Sequence, residues 1–567
     1  MKLALPSIFS YKRRYVKHDL LAGLMVTAVV IPQSLAFATI IGVPPVTGLY
    51  TALVAPLVFA LFASTRRLVV GPDSATTVVL AAGATVVAQA GTAAHINAVL
   101  LITLIAGLLL LLMAVFRFGF LAELISRPVL IGFLAGVGVQ LIVTSLPTML
   151  GLEARGNVWQ QLSFITQHLP TLNGMTFTIS ILVVGIVMVL RRTSIPGELL
   201  GIVAAIIFSL GFHVEQYGVQ MVGALPNGLP QFTMPSTSID QVIALLPAAL
   251  SVALVVLAQG TAVIRSAAAD HNEKSRLNQD LFSLGMANML SALFHGFSAN
   301  GSPTRTQVAY NAHGKAQGVN IVTACLIAVV LLFGGTLFAS IPKAALASVM
   351  FGVGFCLIRY KVFLTIWQTH RVEFIVAIVA TLGTLTFGVL QGVFIAVIVS
   401  LAERLSRQYH PKDAVLLKDG EFSEWADTRL GAKEGIDNVT GIVVYRFEGS
   451  IFFENSSYFV TRLQRIVANT NEKVRVVVVD SGAINTIDYT AAEEIKHIIV
   501  HFEEQSVRLV FAHVTPELRQ QFERNGITKL IGEDSIFSTL REALVMLGAK
   551  RPTKSEKTPS RTSAKGR

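Results

Sequence analysis

Two short runs in this 567-residue sequence combine the residue types that could bind a small charged solute: Gly71-Pro-Asp-Ser-Ala-Thr-Thr77 and Gly301-Ser-Pro-Thr-Arg-Thr306. Each sets Gly and Pro ahead of hydroxyl residues at the start of an apolar stretch. The first backbone N–H groups of a helix lack intrahelical partners and carry the positive end of its dipole. Pro72 and Pro303 suit the first helical turn, where no donor is lost, and Ser74, Thr304 and Thr306 add hydroxyls. Two such helix starts facing each other would cradle an anion. Arg305 adds a full positive charge; deep in a membrane segment a charge costs about 2.5–3.5 kcal/mol and faces an aqueous path or a partner.

A pair of glutamines repeats the spacing of these runs. Gln33 lies in the first apolar stretch and Gln259 in the eighth, about 226 positions later. Seven helices between matched features turn the second half of the chain upside down, and inverted repeats of this kind hold their solute near the bilayer midplane, where half-helices end. Asp73 is expected to cap its helix, Phe37 to pack in its apolar helix, and His95 and His295 to be solvated at outer loop ends.

The elements that must position these residues are membrane spans. With 53% hydrophobic and 14% charged residues, against about 25% charged in soluble proteins, the chain is too apolar for a soluble enzyme. Helical crossings need about 20 residues each, and about fourteen segments are expected, several of them short: 20–41, 47–64, 73–89, 95–116, 121–149, 174–190, 196–212, 243–265, 279–295, 302–312, 319–340, 343–358, 372–388 and 390–407. The first follows a basic leader, but it is longer than a signal-peptide core and is expected to be retained.

The net charge of +11 reads as topology rather than as a nucleic-acid footprint. Loops on one side carry Arg66, Arg67, Arg117, Arg127, Arg191, Arg192, Arg265, Lys274, Arg276, Lys315, Arg359, Lys361 and Arg371, whereas Arg155 and Lys343 are the exceptions on the other. By the positive-inside rule the basic side is cytoplasmic, which requires an even number of spans and both termini inside. No phosphate-binding loop, zinc spacing or nucleophile elbow occurs, so an enzyme or primary pump is not expected, nor any cofactor. Cys325 and Cys356 sit in apolar runs without metal or disulfide spacing.

Beyond residue 405 the composition becomes soluble. Strands are expected at Gly441–Phe447, Val474–Val479 and Val507–Phe511, with amphipathic helices at Ser457–Ala468 and Thr490–Glu504 between them. The expected division is a basic cytoplasmic N-terminus at 1–18, a transmembrane domain at 19–407, a linker at 408–438, a cytoplasmic α/β domain at 439–548 and a disordered basic tail at 549–567.

These motifs resemble the sulfate permease family of anion transporters, which includes the prestin-like anion exchangers. The resemblance runs through Asp19-Leu-Leu-Ala-Gly-Leu24, Ile31-Pro-Gln-Ser-Leu-Ala-Phe-Ala38, Val43-Pro-Pro-Val-Thr-Gly-Leu-Tyr50, Val70-Gly-Pro-Asp-Ser-Ala75, Gly223-Ala-Leu-Pro-Asn-Gly-Leu-Pro230, Asn278-Gln-Asp-Leu281 and Gly296 through Gln307. Phe447-Glu-Gly-Ser-Ile-Phe-Phe453 and Asp480-Ser-Gly-Ala-Ile-Asn-Thr-Ile-Asp-Tyr-Thr-Ala491 resemble the STAS domain shared with anti-sigma-factor antagonists. The resemblance implies an all-α polytopic core of about fourteen helices, arranged as a seven-plus-seven inverted repeat with core and gate domains and followed by an α/β STAS domain. It further implies elevator-like secondary transport of a small inorganic or organic anion (sulfate, bicarbonate, chloride or a dicarboxylate) by a homodimer in the bacterial inner membrane.

The family's anion site carries over to Gln33, Phe37, Ser74, Ala75, Gln259, Thr304, Arg305 and Thr306. Thr490 matches the position phosphorylated in the antagonists, although its hydroxyl could equally cap the following helix, and the STAS domain could recruit cytosolic proteins. Many bacterial relatives carry Glu where this chain has Gln33, and most members carry an acidic residue where it has Gln259. Glutamine cannot titrate, so weaker cation coupling, by exchange or uniport, is expected. Two other readings remain open: a nucleobase-type permease of the same fold, which would want acidic residues at those two positions, and a transport-inactive STAS signalling scaffold.

Overall fold

The computed structural model describes residues 11–547, apart from 120–125, 155, 192, 194–195, 271–275, 336–337, 389–390, scattered positions within 393–410, and 419–424, 429–440 and 471–472. Two compact units result, Met1–Leu401 and Ala402–Arg567, each built on its own apolar core. The N-terminal ten residues and the basic tail expected at 549–567 lie outside the described residues.

The first unit is helical. Its first half contains α1 (Val16–Ile41), α2 (Val46–Phe62), β1 (Val70–Pro72), α3 (Ser74–Ala84), α4 (Ala93–Val115), α5 (Arg127–Leu150), α6 (Val158–His168), α7 (Gly174–Leu190) and α8 (Gly197–Phe212). The second half repeats the plan with α9 (Ile239–Val255), which continues through a π-helical turn, Val256–Gly260, into α10 (Thr261–Asp270). There follow α11 (Leu277–Leu293), β2 (Ala299–Gly301), α12 (Pro303–Asn311), α13 (Gly318–Phe333), α14 (Lys343–Leu357), α15 (Tyr360–Thr369) and α16 (Arg371–Thr386).

Each segment expected between 20–41 and 372–388 coincides with a helix, with shifted ends; 390–407 falls largely outside the described residues. Among the described residues five helical runs, Arg13–Ile41, Ala93–Val115, Arg127–Leu150, Ile239–Ser266 and Lys343–Thr369, are long and apolar enough to cross a bilayer unaided. α3 and α12 are half that length, as half-helices that end inside a protein must be. The amphipathic helices α6 and α15 were not expected; the apolar-run criterion passes over them because their polar faces interrupt it.

The two halves are interlocked. β1 pairs antiparallel with β2 in the register Val70↔Gly301, Gly71↔Asn300 and Pro72↔Ala299. α4 crosses α11 where Gly107 and Gly285 let the backbones meet: a Cβ on Gly107 would lie 2.7 Å from the Met289 nitrogen, and one on Gly285 2.9 Å from the Leu111 nitrogen. Two buried carboxylates clasp one half to a turn of the other. Asp19, at the start of α1, accepts from the Lys315 and Ala316 amides at 2.6 and 3.3 Å. Asp280, in α11, accepts from the Ser64 and Thr65 amides at 2.6 and 3.0 Å and from their hydroxyls at 2.8 and 2.6 Å.

The second unit is a five-stranded sheet in the order β4-β3-β5-β6-β7, with β3 (Asp413–Lys418), β4 (Trp425–Thr428), β5 (Ile442–Phe447), β6 (Val476–Asp480) and β7 (Arg508–Ala512). β5, β6 and β7 run parallel, and α17 (Ser456–Asn469) and α18 (Tyr489–Glu504) supply the crossovers that parallel strands require. The linker expected at 408–438 is corrected here, because β3 and β4 lie within it and extend the sheet antiparallel. Asp413 holds β3 in place by accepting from Tyr445 Oη (3.1 Å), Tyr458 Oη (3.1 Å) and Arg462 Nε (2.6 Å). Burial together with this carboxylate raises the Tyr445 phenol.

Candidate anion site

The site is assembled by the β1–β2 pair, because each strand leads directly into a half-helix. Asp73 follows β1 as the N-cap of α3, its Oδ2 accepting from the Ala75 and Thr76 amides at 3.1 and 3.5 Å. Ser302 follows β2 as the N-cap of α12 and accepts from the Arg305 amide at 3.4 Å, with Pro303 in the first turn. Pro303 therefore stands where expected. Pro72 does not: it is the last residue of β1, one place before the cap, so the first-turn reading is corrected at that position.

Side chains outside the strands fix this crossing. Asn288 of α11 donates to the Ala299 carbonyl at 2.9 Å and accepts from the Ala299 amide at 2.9 Å. Asn320 of α13 donates to the Leu68 carbonyl at 2.8 Å, and Gln317 donates to the Thr65 carbonyl at 2.7 Å. The approaches to both half-helices are thus braced by side chains of the second half.

Arg305 lies across β1 and is 1% exposed, which rules out a side chain reaching to a rim. Its Nη2 donates to the Pro72 carbonyl at 2.5 Å, while Nε and Nη1 make no hydrogen bond within the protein. Glycine at 71 makes this pose possible, since a Cβ there would lie 2.8 Å from Nη1. Arg305 is within electrostatic reach of Asp73 and Glu198.

Both glutamines prove to be bonded to carboxylates. Gln259, in the π-helical turn, donates from Nε2 to Asp73 Oδ1 at 3.1 Å, and its Oε1 is buried without a hydrogen bond; π-turns inside helices are frequent at functional sites. Gln33 donates from Nε2 to Glu198 Oε1 and Oε2 at 3.1 and 3.0 Å. Sequence reasoning passed over Glu198, in the first turn of α8. The available signal was a carboxylate opening an otherwise apolar span. The two glutamines, which cannot titrate themselves, thus each stand beside a carboxylate that can.

Of the remaining expected residues, Ser74 and Ala75 are buried in the first turn of α3. Phe37 is buried one turn beyond Gln33 within the apolar core. The Thr306 hydroxyl is committed to the Val69 amide at 3.1 Å, and Thr304 is exposed, its hydroxyl 3.2 Å from Ser302 Oγ. These two threonines are not gathered with the others. His95, expected to be solvated, is fully buried; its ring nitrogens meet the Ile41 and Ala88 carbonyls at 2.7 and 3.2 Å and hold the end of α1 to the turn before α4. His295 is half-buried, 2.7 Å from Thr233 Oγ1.

In the second unit Thr490 is exposed in the first turn of α18, but the cap is Asp488, whose Oδ1 accepts from the Ala491 amide at 2.8 Å. The Thr490 hydroxyl is therefore not the cap. Nearby, at the ends of the parallel strands, Asp480 accepts from Arg446 Nε at 2.8 Å and lies 2.7 Å from His513 Nδ1. Burial alone would raise Asp480, but these partners outweigh it and hold the carboxyl below its usual range.

Inverted helical halves joined by a short strand pair, each strand opening a half-helix, define a multi-pass membrane transporter. The sulfate permease family matches residues 16–380 and the STAS domain residues 433–543. The chain belongs to the sulfate permease family. It is 30% identical over 537 residues to a probable sulfate transporter of Mycobacterium tuberculosis, covering 94% of this chain and 96% of the relative. It is 26% identical over 551 residues to the chloroplastic sulfate transporter 4.1 of Arabidopsis thaliana, covering 94% and 80%. Among solved structures, the murine Slc26a9 anion transporter in the inward-facing state superposes with a TM-score of 0.85 at 18% identity, covering 96% of this chain and 93% of that one. The transmembrane domain of the cyanobacterial bicarbonate transporter BicA gives 0.61 at 22% identity, covering 69% and 98%.

Proposed function

We propose that this protein is a secondary transporter of small anions, of the sulfate, bicarbonate, chloride or dicarboxylate class, that holds its solute between the starts of α3 and α12 against Arg305. One observation carries this reading: the β1–β2 pair sets two helix starts beside a buried arginine whose Nε and Nη1 have no protein partner. Helix N-termini and a guanidinium are the donors that suit a carboxylate, sulfate or bicarbonate oxygen. The names of the relatives, sulfate transporters and a bicarbonate transporter, support the same class. Gln33, Phe37, Ser74, Ala75 and Gln259 line this place; Thr304 and Thr306 contribute through the shape of the α12 start.

The transport movement is elevator-like. The bracing of β1 and β2 by Asn288, Gln317 and Asn320 supports carriage of the two half-helices as one body. The protein works as a homodimer in the plasma membrane with both termini cytoplasmic, as the basic loops favour. Phosphorylation of Thr490 regulates it, and the STAS domain recruits cytosolic proteins.

The test is competitive flux in proteoliposomes with sulfate, bicarbonate, chloride, nitrate and fumarate, repeated for Arg305→Ala. Flux of at least one anion, with a raised half-saturating concentration in the variant, is expected. Absence of flux for all five, or unchanged kinetics in Arg305→Ala, would overturn the assignment.

A further inference from the structure

The charges gathered at the site do not balance once an anion arrives. Arg305 lies within electrostatic reach of two carboxylates, Asp73 and Glu198, for a formal sum of −1. The starts of α3 and α12 each contribute about half a positive charge, so the site is close to neutral before it binds anything. A bound anion then adds its whole charge to a low-dielectric interior, where an uncompensated charge costs several kcal/mol. A proton on one carboxylate removes that excess.

The two carboxylates are not equivalent as proton acceptors. Asp73 receives three N–H donors on its two oxygens, from Gln259, Ala75 and Thr76, and it is 4% exposed. A proton on Oδ2 would uncap α3, and one on Oδ1 would displace the Gln259 donor. Both oxygens of Glu198 receive the same amide nitrogen of Gln33, so one oxygen can be protonated while the other keeps that hydrogen bond. Glu198 is half-buried and so less enclosed than Asp73.

Among the described residues, few groups compete around Glu198. α8 packs against α1, α7 and α14. From α1 the contact is the uncharged Gln33, and Asp19 of that helix is tied to the Lys315 and Ala316 amides. From α14, Cys356 lies within electrostatic reach of Glu198 and of Arg191, which follows α7. Lys343, at the other end of α14, donates to Gln220 at 3.2 Å. Among the described residues the full charge acting on Glu198 is that of Arg305, and an anion seated on Arg305 cancels it. A proton at Glu198 and an anion at Arg305 each offset the charge that the other brings, so the two bind with reciprocal assistance.

We infer that Glu198 carries a proton with each transported anion, so that the protein is a proton–anion symporter whose coupling carboxylate sits on α8 and is presented to the site through Gln33. The inference rests on the proposed anion-transport reading, and it reverses the weak coupling expected from the two glutamines. In each cycle one proton joins a Glu198 oxygen on the side where the anion binds, forming an O–H bond, and that bond breaks again as the proton leaves on the side where the anion is released.

Sulfate and chloride serve as probes, with the full-length chain in proteoliposomes, the membrane potential clamped and a pH dye trapped inside. In the wild type, internal acidification should accompany anion entry. A gradient of one pH unit, acid outside, should drive about tenfold accumulation for one coupled proton. In Glu198→Gln, whatever anion flux remains should carry no protons. In the exchanged pair Gln33→Glu with Glu198→Gln, proton entry should return, because the carboxylate has moved to the other partner of the same hydrogen bond. Wild-type anion flux without proton entry, or proton entry retained in Glu198→Gln, overturns this inference and leaves the transport reading standing. Absence of wild-type flux of either probe overturns the inference, and it removes the transport reading too when bicarbonate, nitrate and fumarate also fail.

Discussion

Replacing Gly71 by Ala tests the anion site without removing a charge. The added Cβ would sit 2.8 Å from Arg305 Nη1, well inside the separation of about 3.5–4 Å at which non-bonded atoms rest. The intruding contact is to the end of a flexible side chain, so the guanidinium turns aside instead of the backbone giving way. Nη2 is anchored on the Pro72 carbonyl at 2.5 Å, and rotation about that anchor carries Nη1 out of the space it shares with the two helix starts. The anion then loses one hydrogen bond from a charged donor, worth about 1.5–3 kcal/mol. That corresponds to about a 10- to 150-fold rise in half-saturating concentration at 1.4 kcal/mol per tenfold. Concentration-dependent sulfate uptake measures the rise, and thermal unfolding in detergent should show little change in the midpoint. Unchanged half-saturation in Gly71→Ala, with the protein folded, would refute the placement of Nη1 at the anion.

Other substitutions probe what holds the site and the second unit together. Asp280→Ala leaves the Ser64 and Thr65 amides without an acceptor and should cost about 2–5 kcal/mol in detergent unfolding; Asp280→Asn should cost less, because both hydroxyls can turn to accept from the new amide. Asp480 is held below the usual carboxylate range by His513 and Arg446, so its stabilising contribution is complete above about pH 4, the unfolded value, and is lost as pH falls through the lower folded value. The gap in STAS-domain stability between wild type and Asp480→Asn should therefore be constant at neutral pH and close on further acidification; a gap that persists in strong acid would contradict the ion pairing. Asp413→Ala should detach β3 and lower the melting of the STAS domain selectively, as followed by hydrogen exchange at residues 413–418.

Much of this architecture was legible because apolar length and loop charge are local signals. The half-helices announced themselves through Gly, Pro and hydroxyl residues in matched positions, and the β1–β2 pair follows from their inversion. Long-range pairings were not legible. Glu198 meets Gln33 across 165 positions, and nothing in the local sequence of either residue names the other. That Gln33 and Gln259 each lie against a carboxylate was hidden for the same reason, since Glu198 and Asp73 approach from other elements. Thr306 was singled out for its hydroxyl, which the fold commits to the Val69 amide. β3 and β4 were hidden because dense charge around 412–437 masks a short apolar alternation. Asp488 outcompeted Thr490 as a cap because it occupies the N-cap position itself, two residues earlier.

The central claim, that the anion rests on Arg305 between two half-helix starts, is tested most directly by locating a bound anion. Selenate, a heavier analogue of sulfate, can be placed by its anomalous scattering in crystals of the full-length protein. Selenate is expected within hydrogen-bond distance of Arg305 Nε and Nη1 and of the first amides of α3 and α12. Selenate bound at another place in the membrane unit, with that space occupied by water, would contradict the account.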